Sequence, residues 1–144
     1  MTFGTKYLCL GLLLCPLVLT PAHAQLRGHG GPVKALAISP DGAHAISGSF
    51  DTSAIRWSLS RNTAEQVLRF HDGAVNAVAY LKDGRVVTAG ADAHIAVWSA
   101  GQPQPDKVFD SPSGPISNLA VSPDSSTIAS ASWDHSIRLW PLNG

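Results

Sequence analysis

An internal period of just over forty residues constrains this chain more than any other feature of its 144 residues. Aligned on itself, the sequence yields GHGGPVKALAISPDGAHAISGSFDTSAIRW, FHDGAVNAVAYLKDGRVVTAGADAHIAVW and SPSGPISNLAVSPDSSTIASASWDHSIRLW. Val33, Val75 and Ile116 are 42 and 41 apart; Asp51, Asp92 and Asp134 are 41 and 42 apart, as are Trp57, Trp98 and Trp140. Each Asp has a Ser or Thr four residues before it (Ser47, Thr88, Ser130) and the Trp six residues after it. A unit of this size cannot bury its apolar faces alone, so such a period implies stacked units that share their cores.

Each copy opens with a short apolar run (VKALAI, VNAVAY, ISNLAV), turns at Ser39-Pro40-Asp41-Gly42, Lys82-Asp83-Gly84 or Ser122-Pro123-Asp124-Ser125, and continues into small and β-branched residues. Apolar residues at consecutive positions suit strands covered on both faces, and no helical period is present. SAIRW, HIAVW and SIRLW supply a third strand, and the connecting segments EQVLRF and DKVFDS a fourth. Four short antiparallel strands per repeat is the architecture of a propeller blade. The predicted fold is therefore all-β, about three four-stranded antiparallel blades forming an open arc, with repeats at about 28–58, 70–99 and 111–141. A further strand is predicted at 25–28, and the last blade lacks an outer strand. Closed propellers use about four to eight blades, so three leave apolar end faces and an unpaired edge. The chain is expected to belong to a longer parent or to self-associate when isolated.

With Gly28-His29, Ser39-Pro40-Asp41-Gly42, Ser47-Gly48-Ser49-Phe50-Asp51 and the terminal Trp57, residues 25–142 resemble WD-repeat β-propeller repeats. The Asp that often follows the Trp is replaced by Ser58, Ser99 and Pro141, and the place of His29 and His71 is taken in the third copy by Pro112. The resemblance implies a structural hydrogen-bond chain in each blade, from Trp to Ser or Thr to His to Asp. Here these are Trp57, Ser47, His29 and Asp51; Trp98, Thr88, His71 and Asp92; and Trp140, Ser130 and Asp134 without the His. That third blade is expected to be the least tightly pinned. The resemblance also implies a partner-binding top face at Phe50, Ala91 and Trp133 with Pro32, Lys34, Ala74, Asn76, Pro115 and Ser117, where Phe50 and Trp133 are the natural anchors. It further implies that the 25–28 strand completes the last blade of the parent as a latch.

Residues 1–24 read as a secretory leader: Lys6, an apolar run from Tyr7 to Leu19 broken by Pro16, then Ala22-His23-Ala24. The run is too short for a membrane span of about 20 residues, and no small residue precedes Cys15 to mark lipid attachment. Cleavage after Ala24 predicts a periplasmic or secreted chain of 120 residues with nine basic and ten acidic side chains and no cysteine. Such an even, scattered balance gives no footprint for nucleic acid or an anionic membrane.

A hydroxyl, an imidazole and a carboxylate at Ser47, His29 and Asp51 also suit a nucleophilic triad. A catalytic unit has no reason to repeat with Ser changed to Thr and a Trp retained, and no Gly-x-Ser-x-Gly elbow is present. No catalytic residue is assigned. His44, His94 and His135 share no metal-ligand spacing, His94 and His135 being expected in the turn after the Asp. No Gly-rich loop precedes a Lys and a Ser or Thr, so no metal or cofactor site is assigned. The leading functional expectation is an exported protein-interaction or scaffold module without catalysis. The alternative is the propeller part of a longer periplasmic redox protein fused to a c-type cytochrome domain beyond residue 144, which Cys-x-x-Cys-His downstream would reveal.

Overall fold

A computed structural model describes residues 25–111 and 113–143; the predicted leader and Pro112 lie outside them. Eleven strands follow in chain order: β1 (Val33–Ile38), β2 (His44–Ser49), β3 (Ser53–Ser58), β4 (Thr63–Arg69), β5 (Val75–Tyr80), β6 (Val86–Gly90), β7 (His94–Trp98), β8 (Lys107–Asp110), β9 (Ile116–Val121), β10 (Thr127–Ser132) and β11 (Ile137–Pro141). They form three antiparallel sheets, β1-β2-β3-β4, β5-β6-β7-β8 and β9-β10-β11. These are the predicted blades, with connectors supplying β4 and β8 and the third blade ending at three strands.

The strand expected at 25–28 is absent. A strand needs a ladder partner, and by repeat equivalence this segment matches the end of β4 and of β8, the outer strands. The edge that calls for such a strand belongs to β11, at the opposite end of the arc. Instead the segment lies across blade one, where Leu26 packs on Ala45, Ile55 and Trp57.

Alternation along each strand sends successive side chains to opposite faces, so every blade has two apolar faces. We call the face carrying the Trp and Ser or Thr the front, and the other the rear. The rear of blade one (Ile46, Ala54) meets the front of blade two (Val75, Val86, Trp98) in one buried cluster. The rear of blade two (Val87, Ala89, Ile95, Val97) meets the front of blade three (Ile116, Ile128, with Leu119 and Trp140) in another. Gly48 is required at the first junction, where an added Cβ would stand 2.7 Å from Val75 Cγ1 and 3.0 Å from Val75 O.

Residues that follow the repeated Asp take a left-handed backbone in all three copies: Thr52, Ala93 and His135 have φ of 67°, 67° and 69°. His135 is thus the turn residue expected. His94 is not its equivalent; it lies one place later and opens β7.

Candidate functional site

The Asp of each copy sits in the turn joining the second and third strands, the hydroxyl residue faces it from the second strand, and the Trp closes the third. In blade one Trp57 Nε1 donates to Ser47 Oγ (2.8 Å), His29 Nε2 lies 2.7 Å from the same oxygen, and His29 Nδ1 lies 3.0 Å from Asp51 Oδ2. Blade two repeats the arrangement: Trp98 to Thr88 at 3.0 Å, His71 Nε2 to Thr88 Oγ1 at 2.8 Å, and His71 Nδ1 to Asp92 at 3.0 Å. A neutral imidazole protonated at Nδ1 donates to the carboxylate and accepts the hydroxyl proton at Nε2, which leaves the hydroxyl oxygen free to accept from the indole. Every side-chain nitrogen and oxygen of the Trp, Ser or Thr, His and Asp in these two blades then has a partner, the condition for burying it.

Those geometries share the order of a hydrolytic triad, but the hydroxyl oxygen accepts an indole N–H, and in blade two Thr88 is wholly enclosed. A substrate cannot reach it. Beneath Leu26 the front of blade one is covered, but along β1 it is open, and His29, Ser47 and Trp57 border an open depression of about 610 Å³ with Leu26, Val33 and Leu36. By repeat equivalence this is where the rear of a preceding blade packs.

Burial pushes the Asp92 carboxyl up, but the hydrogen bond from His71 and the backbone N–H groups of His94 and Asp72 outweigh it and hold the group at about 2. For Asp51 burial acts the same way and is outweighed by the Ser53 hydroxyl and backbone N–H, the Gly30 N–H and His29, so it too lies well below its ordinary range. These carboxylates act as fixed anions that organise donors.

Blade three keeps Trp140 Nε1 donating to Ser130 Oγ at 2.8 Å. Its Asp134 is met by Arg138 at 2.7 Å, Ser113 Oγ at 2.8 Å and Ser136 Oγ at 2.6 Å. Arg138, first of these causes, with the two hydroxyls, holds the Asp134 carboxyl far below its ordinary value. Sequence reasoning missed Arg138. The signal was available: the position four residues after the Asp is Ile55 and Ala96 in the first two copies and becomes a cation only in the copy without an imidazole.

At the end of the sheets where these Asp turns lie, one backbone bond repeats. Phe50 N–H donates to Pro32 O (3.1 Å), Ala91 N–H to Ala74 O (2.9 Å) and Trp133 N–H to Pro115 O (3.0 Å). It ties each turn to the segment before the first strand and brings the expected top-face residues together. Phe50 is 54% exposed and Trp133 66%; Pro32 and Ala91 are also exposed. Lys34 places its ammonium 5.0 Å from the Phe50 ring centre, within cation–π range. Asn76 does not belong to this exposed set: it is buried, and its amide donates to Ile116 O at 2.8 Å across the junction of blades two and three. Ser117, half-buried, donates to Ala131 O at 3.1 Å. A polar side chain beside the opening Val or Ile is drawn to the backbone of a neighbouring strand, which sequence spacing alone does not reveal. Among the described residues no group of three or more His, Cys, Asp or Glu is placed to hold a metal ion.

The family model described as "WD domain, G-beta repeat" matches residues 21–58, 62–99 and 103–141. The chain is 31% identical over 122 residues to the 66 kDa stress protein of Physarum polycephalum, covering 83% of this chain and 20% of that protein. It is 30% identical over 118 residues to transcription initiation factor TFIID subunit 5 of Caenorhabditis elegans (82% and 18%) and over 146 residues to ribosome biogenesis protein YTM1 of Saccharomyces cerevisiae (85% and 31%). The chain thus spans between about a fifth and a third of the length of these relatives.

Proposed function

The chain belongs to the WD-repeat family, and from that premise we propose that it is an exported protein-interaction or scaffold module with no catalysis of its own. Fold alone does not assign function; the observation that carries the reading is the aligned pair Phe50 and Trp133 at the turn end, with Lys34 over the first ring. Large aromatic side chains beside turns have no core to enter, and exposed aromatics are the side chains most often found as interface anchors. Two of the relatives carry names that place them in assemblies, one as a subunit of a transcription initiation factor and one in ribosome biogenesis.

Export rests on Lys6, the apolar run and Ala22-x-Ala24. Mass spectrometry of the chain recovered from the producing cell is expected to find Gln25 at the N-terminus; recovery of intact Met1 in the cytoplasm removes this part of the proposal. The binding reading is tested by affinity capture from periplasm with the full protein and with Phe50→Ala and Trp133→Ala. Loss of a captured partner at unchanged melting temperature supports the site. Unchanged capture moves the interface elsewhere.

A further inference from the structure

The residue before the repeated Trp lies on the rear of its blade, and across the junction it meets the residue that ends the first strand of the following blade. Between blades two and three these are Val97 and Val121, which share one apolar cluster. Between blades one and two the same places hold Arg56 and Tyr80. The ladders around them are the same: Arg56 pairs with Ile46 as Val97 does with Val87, and Tyr80 pairs with Val86 as Val121 does with Ile128. A guanidinium and a phenol thus stand where the fold also packs with two valines.

Each brings a buried donor with no hydrogen-bond partner among the described residues, Arg56 Nε and the Tyr80 hydroxyl. The Arg56 side chain is only 16% exposed, and its Nε lies 3.4 Å from Glu65 Oε2 without the alignment of a hydrogen bond. Glu65 is also shared with Arg61 and with His44 Nε2, the latter at 3.3 Å. Burial pushes the Tyr80 phenol up, so its proton stays on the oxygen. Arg56 and Tyr80 line a cavity of about 160 Å³ bounded by the turns at Ser39, Pro40 and Asp41 and at Lys82, Asp83 and Gly84. An unmet buried donor is costly and a buried charge more so. A junction that holds both, where valines serve at its sister, calls for an acceptor that carries charge.

We propose that this cavity is a binding site for a single carboxylate group, which accepts from Arg56 Nε and the Tyr80 hydroxyl. Its size admits a terminal group but not a whole drug-sized molecule, whose pockets begin at about 300 Å³. The rim sets the charge. Asp41 and Asp83 are exposed there, the first held by Ser39 Oγ and the Ala43 N–H, the second by Arg85 Nε at 2.8 Å. Both repel a phosphate dianion more than a single negative charge, and the exposed Lys82 beside them favours an anion. Phe50 and Trp133 lie at the other end of the sheets, so the proposal is independent of the partner-binding reading.

The experiment is a nuclear magnetic resonance titration of the full chain, following the Arg56 Nε–H signal and the backbone amides of Lys82 and Gly84. The probes are acetate for a free acid, an acetylated and amidated peptide with one glutamate for the side chain of another protein, and inorganic phosphate. A carboxylate is expected to shift these signals saturably at millimolar concentration. Tighter binding of acetate assigns the site to a free acid and tighter binding of the peptide assigns it to a protein; either supports the proposal. Arg56→Val, which installs the residue of the sister junction, and Tyr80→Phe are each expected to weaken binding by roughly tenfold or more. The urea midpoint of Arg56→Val should equal or exceed that of the unaltered chain, which separates binding from folding. Should Arg56→Val fail to fold, Tyr80→Phe, which keeps the ring, decides the matter. No saturable shift with either carboxylate, phosphate binding more tightly than both, or undiminished binding by Tyr80→Phe overturns the proposal.

Discussion

Replacing Thr88 by Val removes a hydroxyl at the centre of the blade-two chain while keeping the branched shape. In the folded chain that oxygen accepts from Trp98 Nε1 at 3.0 Å and lies 2.8 Å from His71 Nε2. Thr88, Trp98 and His71 are all buried, so water cannot substitute. Two orphaned groups cost about 1–3 kcal/mol each, and the extra buried methyl returns about 0.8 kcal/mol, giving a net loss of around 3 kcal/mol. Ser130→Ala in blade three orphans only the Trp140 indole and should cost about 1 kcal/mol. Thr127→Val is the control, since its hydroxyl has only a 3.4 Å contact with Ser126, and should stay within about 0.5 kcal/mol. Urea unfolding at several protein concentrations measures all three and separates the loss from mass action. Adding His71→Ala to Thr88→Val should cost less than the sum of the single changes, because both break the same bond. A Thr88→Val loss below about 1 kcal/mol, or one equal to that of Ser130→Ala, would refute a shared buried network as the reason for the repeat.

His29→Ala and Asp51→Ala are each expected to lower stability by about 1–3 kcal/mol in the same assay without removing any hydrolytic activity; loss of an esterase or amidase activity at unchanged stability would revive the triad. The carboxyl of Asp92 is lowered from 3.8 to about 2 in the folded chain, so its contribution is fully present above pH 4 and is lost as pH falls towards 2. Urea midpoints recorded across that window should fall with acid, and Asp92→Asn should flatten part of the fall; identical slopes in the two proteins count against the linkage.

The architecture was legible because it depends on period. Asp51, Asp92 and Asp134 and their Trp partners locate every second and third strand, and the apolar runs opening at Val33, Val75 and Ile116 locate the first. Strands are recovered from consecutive apolar runs and turns because a blade covered on both faces has few other ways to bury Val87, Ile95 and Val97. The segment 25–28 was misread for a physical reason: its place in the repeat matches the ends of β4 and β8, but strand state belongs to a pair, and its edge lies elsewhere. Arg138 was missed and Asn76 misread for a related reason. Their roles, holding Asp134 and joining blades two and three, follow from what faces them across the structure, which the order of residues in one repeat does not contain.

The contrast between positions that repeat and positions that vary also separates support from recognition. Trp, hydroxyl and Asp recur in all three copies, and in each the structure finds them bonded to one another or to their own blade. Where an imidazole is replaced, a guanidinium arrives to meet the carboxylate; the requirement survives the change of residue. The place before the Asp behaves differently. It holds Phe50, Ala91 and Trp133, although the backbone bond that fixes it, to Pro32, Ala74 and Pro115, is the same each time. The scaffold fixes where these side chains stand and makes no demand on what they are. Side-chain identity there is free to answer to something outside the blade, and the aromatic rings at two of the three places stand exposed where burial would favour them, which is the arrangement the proposed contact with another protein would use.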